Sequence, residues 1–240
     1  MVKRRRNRKQ KVRSAFLSVI VIIGTVLLIL NRFKLLPGKT YYAKDFNIDV
    51  LRSKVDYNDN GINDYTDILL GAKLDAENHP RYDSSYYGNG GYPPDNIGVC
   101  TDVVWRAFKN AGYCLRDMVD NDIKERPDSY TEITTRDKNI DFRRVGNLRV
   151  YFEKYAKKLS LDPLDIEEWQ PGDIVIFGND SHIGIVSDKR NRSGIAYIIH
   201  NGGQHKREED YLTRANVTGH YRFDASSQSV SALVEWYEQG

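Results

Sequence analysis

An uncharged apolar stretch near the N-terminus constrains this chain more than any other feature. Residues 14–30, SAFLSVIVIIGTVLLIL, contain no charged side chain, and about 17–25 such residues are needed to cross a bilayer as a helix. Phe33, Leu35 and Leu36 can extend the stretch. It is longer than the roughly 7–15 apolar residues of a cleavable signal, and no small-residue cleavage site follows directly. We therefore predict an uncleaved transmembrane signal anchor over residues 14–36.

The distribution of basic residues predicts the orientation of this anchor. Residues 1–13 hold eight Lys and Arg side chains and no acidic one, whereas only Arg32, Lys34 and Lys39 follow the stretch before Tyr41. Positive charge is favoured on the cytoplasmic side of a membrane. We expect a basic cytoplasmic tail over residues 1–13, a single pass through the cell membrane and an extracellular C-terminal domain. Secretion after signal cleavage is the alternative.

The net charge of the residues before Tyr41 differs in sign from that of the residues from Tyr41 onward. The chain has 36 Lys and Arg against 33 Asp and Glu residues, a net charge of +3. Eleven of the basic residues precede Tyr41, which leaves 25 basic against 33 acidic residues in the rest. A surface that binds nucleic acid needs clustered Lys and Arg to neutralise phosphates. The acidic balance therefore argues against nucleic acid as a partner.

Residues 37–75 are predicted to form a stalk that contains a calcium-type loop. In DYNDNGINDYTD, oxygen-bearing side chains or a backbone carbonyl occupy the ligand positions of such a loop, with glycine at the sharp turn. The expected ligands are Asp56, Asn58, Asn60, Ile62, Asp64 and Asp67. The loop resembles those of dockerin modules over twelve residues, and an aspartate in place of the usual last glutamate suggests weak binding of a structural Ca²⁺. An Asn- and Asp-rich turn that caps the helix YTDILLGAKL is the alternative.

Helix and strand patterns separate along the rest of the chain. One helical face is formed by Val103, Val104, Ala107, Phe108 and Ala111, and residues 148–159 offer a second helix. The β-branched runs DIVIFG, HIGIVSD and AYIIHN follow as strands. The polar residues 120–141 are expected to form a long surface loop. This order predicts an α+β fold in which a helix packs on a small antiparallel sheet.

The two cysteines, Cys100 and Cys114, are predicted to remain unbridged. A helix that starts after Cys100 separates the two sulfurs by fourteen residues, or roughly 20 Å at ~1.5 Å per residue. Unpaired N–H groups and the dipole at the start of this helix are expected to lower the pKa of the Cys100 thiol. Cys114 is expected to be a small buried apolar group.

Two histidines occupy the ends of adjacent predicted strands. His182 begins HIGIVSD and His200 ends AYIIHN, so antiparallel pairing would bring both imidazoles side by side. A cysteine nucleophile needs a base and a group that orients the base, and Asn201 or His205 could replace His200 as the orienting group. A zinc site from Cys100 and the two strand histidines is less favoured, since the sequence has no close ligand pair. A further histidine, in TGHYRF, is expected to be structural.

Four ordered segments carry a resemblance to a known family. They are GNGGYPPDNIGVCTDVVWRAF, WQPGDIVIF, HIGIVSD and IIHN. Together they resemble the NlpC-type branch of the papain-like cell-wall cysteine peptidases. GVCTDVV, DFRRVGNL and TGHYRF are still more similar to an uncharacterised subgroup of exported bacterial proteins. The resemblance implies a papain-like domain over residues 76–240, with Cys100 as nucleophile, His182 as general base and then acid, and His200 as the orienting residue.

The resemblance also implies a function and a substrate. The expected reaction is cleavage of an amide bond in peptidoglycan or a related wall peptide through a thioester acyl-enzyme, with no cofactor for catalysis. Either Tyr86 or Tyr87 matches the family tyrosine near the nucleophile, and Arg143 with Arg144 could bind a substrate carboxylate through paired N–H donors. The bond that is cut, and hydrolysis against transfer, stay open. A non-catalytic module that binds wall peptide or acts as a scaffold is the alternative.

Overall fold

The computed structural model divides the chain into two units, Met1–Thr40 and Tyr41–Gly240. The structure describes residues 16–26, 28–29 and 39–237. In the first unit, residues 16–26 and 28–29 are helical. Among the described residues, no helix is both long enough and apolar enough to cross a membrane.

The predicted anchor over residues 14–36 is only partly covered by this description. Residues 14, 15, 27 and 30–36 lie outside the described residues, as does the whole predicted basic tail over residues 1–13. The anchor and the tail therefore stay predictions.

The second unit has a mixed α/β fold with an antiparallel sheet. Its helices of eleven or more residues, within the described range, are α1 (Asp64–Asn78), α2 (Cys100–Asn110), α3 (Leu115–Glu125) and α4 (Val145–Tyr155). Its strands are β1 (Tyr41–Tyr42), β2 (Arg81–Tyr82), β3 (Ile97–Gly98), β4 (Ala156–Lys158), β5 (Ile174–Phe177), β6 (His182–Arg190), β7 (Ala196–Ile199), β8 (Glu208–Glu209) and β9 (Val217–Phe223). The three predicted β-branched runs thus form β5, β6 and β7.

The main sheet places both candidate histidines at one end. In the described part of the chain, its order is β4-β9-β5-β6-β7-β8, and β1 pairs with the far half of β6. The antiparallel register sets Ile185 opposite Ile199, so His200 falls opposite Gly184. A Cβ on Gly184 would lie only 3.1 Å from the Cβ of His200. The glycine in HIGIV therefore provides the space that His200 needs on this face of the sheet.

Helix α2 packs between the sheet and α1 and forms the centre of the core. Its apolar side chains, including Val104 and Phe108, are fully buried, and the helix packs against β6. Helix α1 approaches α2 closely, because Gly71 has no side chain and a Cβ there would lie 2.8 Å from the Cα of Ala107. The close contact lies in the second half of α2, at Ala107 and Asn110, and holds that part of the helix against α1.

The predicted stalk over residues 37–75 is wrong for residues 41–75, which belong to the compact second unit. Tyr41 pairs with Arg190 on β6, and α1 buries Ile68 and Ala72 in the core. The helix YTDILLGAKL was expected in this segment, but its packing against α2 depends on a contact with a later part of the chain, which the sequence pattern does not show. The boundary between the two units lies after residue 40.

The predicted surface loop over residues 120–141 is also wrong in its first part. Helix α3 continues to Glu125, and Asp122 is buried at 2% exposure. Its carboxylate accepts hydrogen bonds from Tyr130 at 2.6 Å, Tyr155 at 2.8 Å and Lys154 at 2.9 Å. A polar residue can be buried when its charge is fully paired in this way, and the sequence pattern alone does not show those partners.

Candidate active site

Cys100 is the first residue of α2 and is 8% exposed. Burial raises the pKa of its thiol to about 11, although the nearby backbone N–H groups of Ile183 and Thr101 act in the opposite direction. The expected lowering of this pKa is therefore wrong, because desolvation of the thiolate outweighs the N–H groups at the start of the helix. Ile183 is the residue that directly follows His182.

A buried carboxylate holds the start of α2 in place. Asp102 accepts hydrogen bonds from the backbone N–H of Val99 at 2.7 Å and from the indole of Trp105 at 2.7 Å. Arg143 completes the set with two N–H donors to Asp102, at 2.8 and 2.9 Å. A third donor of Arg143 reaches the carbonyl of Ser85 at 3.1 Å. The guanidinium is thus used internally, which corrects the prediction that Arg143 binds a substrate carboxylate.

The other predicted substrate-binding residues lie around the segment before the nucleophile. The hydroxyl of Tyr86 donates to Asp137 at 2.8 Å, and the side chain is 56% exposed. The guanidinium of Arg143 lies 5.4 Å from the centre of the Tyr87 ring. Arg144 is exposed. Tyr86 and Arg144 are thus accessible to a ligand, whereas Tyr87 packs on the buried ion pair.

Tyr82 is a candidate that the sequence pattern missed. The side chain is 47% exposed, and its partial burial raises the pKa of the hydroxyl, a shift to which the nearby carboxylate of Asp102 adds. A Cβ on Gly203, in the loop after His200, would lie 3.5 Å from the Cβ of Tyr82. Tyr82 therefore lies beside the loop that follows His200 and opposite Gly98, two residues before Cys100.

The structure brings the two strand histidines together, as the hairpin pattern predicts. Nε2 of His182 lies 2.7 Å from Nδ1 of His200, and the two rings are close to perpendicular at 84°. The ring of Tyr211 covers His200 at a centroid distance of 4.4 Å. Burial lowers the pKa of His182 to about 4 and that of His200 to about 3. Both imidazoles are therefore neutral near pH 7.

The alternative orienting groups have other contacts. The side-chain amide of Asn201 donates to the carbonyl of Gly98 at 2.9 Å and so fixes the strand that leads to the nucleophile. His205 is exposed. Of the three candidate orienting groups, His200 is the one that forms a hydrogen bond with the ring of His182.

Two further groups predicted to be structural are fully packed. The ring of His220 stacks on Trp169 at 3.7 Å, and its Nε2 lies 3.0 Å from a carboxylate oxygen of Asp173. Cys114 is completely buried, and its sulfur lies 3.7 Å from the hydroxyl of Tyr92. Both cysteines of the chain are free thiols, as the spacing predicts.

The calcium-type loop brings part of its predicted ligand set together. The carboxylate of Asp67 accepts hydrogen bonds from the side-chain amides of Asn58 at 3.3 Å and Asn60 at 3.0 Å. Asp64 instead accepts from the buried hydroxyl of Tyr113 at 2.6 Å. Asn58, Asn60 and Asp67 therefore converge, whereas the carboxylate of Asp64 is hydrogen-bonded to a buried tyrosine of the core.

The remaining loop positions stabilise the turn itself. Asp56 accepts from the backbone N–H groups of Asn60 at 3.1 Å and Gly61 at 2.7 Å. The N–H of Ile62 donates to the side chain of Asn60 at 2.8 Å. Among the residues that the structure describes, no group of three or more His, Cys, Asp or Glu side chains is placed to hold a metal ion.

Residues 69–223 match a domain of unknown function, DUF1287. The chain belongs to the DUF1287 family. It is similar to the uncharacterized protein YijF of Escherichia coli (strain K12), with 38% identity over 167 residues that cover 65% of this chain and 80% of that protein. No solved structure matches the chain.

The DUF1287 match begins at Leu69 within α1, ends with β9 and includes the three candidate catalytic residues. Cys100, His182 and His200 all lie within it. Membership of this family agrees with the predicted similarity to an uncharacterised bacterial group. The more specific relationship to NlpC-type peptidases is a proposal.

Proposed function

We propose that this DUF1287 protein is a cysteine hydrolase of the papain-like NlpC type that cleaves an amide bond in peptidoglycan or a related wall peptide. The proposal rests on the placement of three side chains. Cys100 is the first residue of α2, which packs against β6, and β6 begins at His182, whose ring is hydrogen-bonded to His200. A nucleophile, a base and a group that orients the base are the three parts that acyl transfer by cysteine requires.

The resting protonation states suggest how the reaction would start. With the pKa of Cys100 at about 11 and that of His182 at about 4, thiol and imidazole are both neutral at pH 7. His182 would take the thiol proton as the sulfur attacks the amide carbonyl. Backbone N–H groups at the start of α2 would stabilise the oxyanion. The C–N bond would then break as His182 donates this proton to the leaving amine, and water, activated by His182, would release the acyl group from the thioester.

The substrate class rests on the NlpC-type resemblance and on the predicted outward-facing location. The test is to incubate the full chain with purified wall fragments and to identify the products by mass. Hydrolysis should give two products whose summed mass exceeds that of the substrate by one water, and their masses identify the bond that was cut. Transfer to another amine would lack the added water. Unchanged fragments would contradict the proposal.

A binding module on the same fold is the second candidate, favoured by the burial of Cys100 and the raised pKa of its thiol. The two candidates differ in the reactivity of this thiol. In a hydrolase, an electrophilic probe should label Cys100 readily, and His182→Ala should slow the labelling. In a binding module, the same substitution should leave the labelling rate unchanged.

Calcium binding by residues 56–67 is a separate proposal, supported by the convergence of Asn58 and Asn60 on Asp67. Calcium at about 100 times its Kd should raise the free energy of unfolding by about 2.7 kcal/mol, since it binds the folded state alone. Thermal unfolding with and without millimolar Ca²⁺ measures this rise, and Asp67→Ala should remove it. Asp59→Asn is the control, because Asp59 occupies a non-ligand position of the loop. An identical melting curve with and without Ca²⁺ would refute the proposal.

We further propose that residues 14–36 remain attached as a membrane anchor with the catalytic unit outside. The proposal rests on the eight positive charges that precede the apolar stretch. Protease added to intact cells should remove the unit Tyr41–Gly240 and leave a membrane-bound N-terminal fragment. Recovery of a mature chain that starts near Tyr41 in the medium would instead support secretion after cleavage.

A further inference from the structure

We infer that Glu209 is a positioning residue that fixes which ring nitrogens of His182 and His200 carry protons. Its effect on proton placement stands on geometry alone, whereas its effect on turnover rests on the proposed function. Glu209 lies on β8, which pairs with β7 at the end of the sheet that carries His200. Its Oε1 lies 3.5 Å from Nε2 of His200, the ring nitrogen that does not face His182.

Two proton arrangements satisfy the 2.7 Å hydrogen bond between the histidines, which are neutral near pH 7. In the first, Nε2–H of His182 donates to Nδ1 of His200, and His200 carries its own proton on Nε2. In the second, Nδ1–H of His200 donates to Nε2 of His182, so His182 carries its proton on Nδ1. Only the first arrangement leaves Nδ1 of His182 as an unprotonated base.

Glu209 distinguishes these two arrangements by its charge. In the first, the N–H at Nε2 of His200 faces the carboxylate, which is favourable. In the second, an unprotonated nitrogen faces the same carboxylate, and the two electron-rich atoms repel each other. Both side chains are largely buried, at 3% exposure for His200 and 16% for Glu209, so water screens this difference only weakly. The carboxylate therefore selects the arrangement in which His182 can accept a proton.

The other groups that lie around His200 do not favour one of its tautomers over the other. The side-chain nitrogen of Gln204 lies 3.3 Å from both ring nitrogens and so favours neither. Arg214 binds the second oxygen of Glu209 at 2.6 Å, which holds the carboxylate in place. Arg207 and Arg214 both lower the pKa of His200, which keeps the ring neutral without setting its tautomer. The ring of Tyr211 packs against the face of the imidazole.

The test is ¹⁵N NMR of the full chain with labelled histidine rings, since protonated and unprotonated ring nitrogens have clearly separated shifts. In the wild type near pH 7, both His182 and His200 should carry the proton on Nε2. In Glu209→Gln, the protons should move towards Nδ1 on both rings. Glu208→Gln is the matched control, because Glu208 is the neighbouring acid on β8 and pairs with Lys189 at 2.6 Å. It should leave the histidine resonances unchanged.

A wild-type protein whose His200 carries its proton on Nδ1 would overturn the inference without any variant. An unchanged tautomer in folded Glu209→Gln would overturn it as well. Once a substrate has been identified, Glu209→Gln should lower kcat about tenfold and leave KM nearly unchanged. Fewer molecules would then hold the tautomer in which Nδ1 of His182 is unprotonated. A chain that cleaves no wall fragment but shows the expected tautomers would refute the proposed function and leave the role of Glu209 intact.

Discussion

Cys100→Ala is expected to abolish cleavage of wall peptide, with a loss of turnover on the order of 10⁶-fold, as removal of the nucleophile gives in serine proteases. The substitution removes the atom that would form the thioester. It should change folding little, because Cys100 is a small side chain and Asp102 continues to cap the start of α2. Initial rates of product formation, followed by mass, measure the loss.

Cys114→Ala is the matched control for this experiment. Cys114 is the other free thiol of the chain and is completely buried, so its loss tests for general effects of removing a buried sulfur. Its activity should stay within about twofold of wild type, since a buried methyl-sized change away from the site alters packing only modestly. Activity retained by purified Cys100→Ala would exclude nucleophilic catalysis at this residue. Activity lost on chelation and restored by zinc would instead favour a metal site.

The sequence predicted the elements that follow from a regular apolar pattern. The helix that starts at Cys100 shows an apolar face with helical spacing, and the strands around residues 174–199 are rich in β-branched residues. The side-by-side placement of His182 and His200 follows from two hairpin-connected strands and needs no knowledge of the distant chain. Local periodicity is a strong signal because each such element must bury one face.

Two site residues that the sequence did not predict lie on strands too short to be recognised from a pattern. Tyr82 and Glu209 lie on two-residue strands, β2 and β8, which are too short to show any periodicity. Each reaches the site through pairing with another short strand, Tyr82 opposite Gly98 on β3 and Glu209 opposite Ile198 on β7. Gly71 within α1 was the available sign that this helix packs closely on another one, since a glycine inside a helix is costly unless the space is needed.

The pairing of Arg143 with Asp102 shows why function is harder to predict than fold. Two adjacent arginines near a candidate site match the chemistry of carboxylate binding equally well whether the carboxylate belongs to a ligand or to the protein itself. In this chain the partner of Arg143 is an internal carboxylate 41 residues earlier. Its role is to hold the nucleophile helix, and only the packed structure distinguishes the two cases.

His182→Ala should abolish activity, whereas His200→Ala should leave measurable residual turnover. The first removes the group that carries the proton between thiol and leaving amine. The second removes a group that orients it, a loss that costs up to about 10⁴-fold in serine-protease triads. Water or Gln204 can partly replace the lost contact. His205→Ala is the control, because His205 lies in the same loop and is exposed, and it should keep wild-type rates.

The pH dependence of kcat/KM tests the protonation states of this pair. Burial lowers the pKa of His182 to about 4 and raises that of Cys100 to about 11. His182 must be unprotonated to accept the thiol proton, so kcat/KM should rise as pH increases through about 4 and then stay level across neutral pH. A thiolate–imidazolium pair would instead require deprotonated Cys100 and protonated His182 together. In such a pair the pKa of Cys100 would be lowered and that of His182 raised, so kcat/KM would fall as pH increases through the raised pKa of His182. A fall at a pH well below the Cys100 pKa of about 11 would contradict the neutral pair.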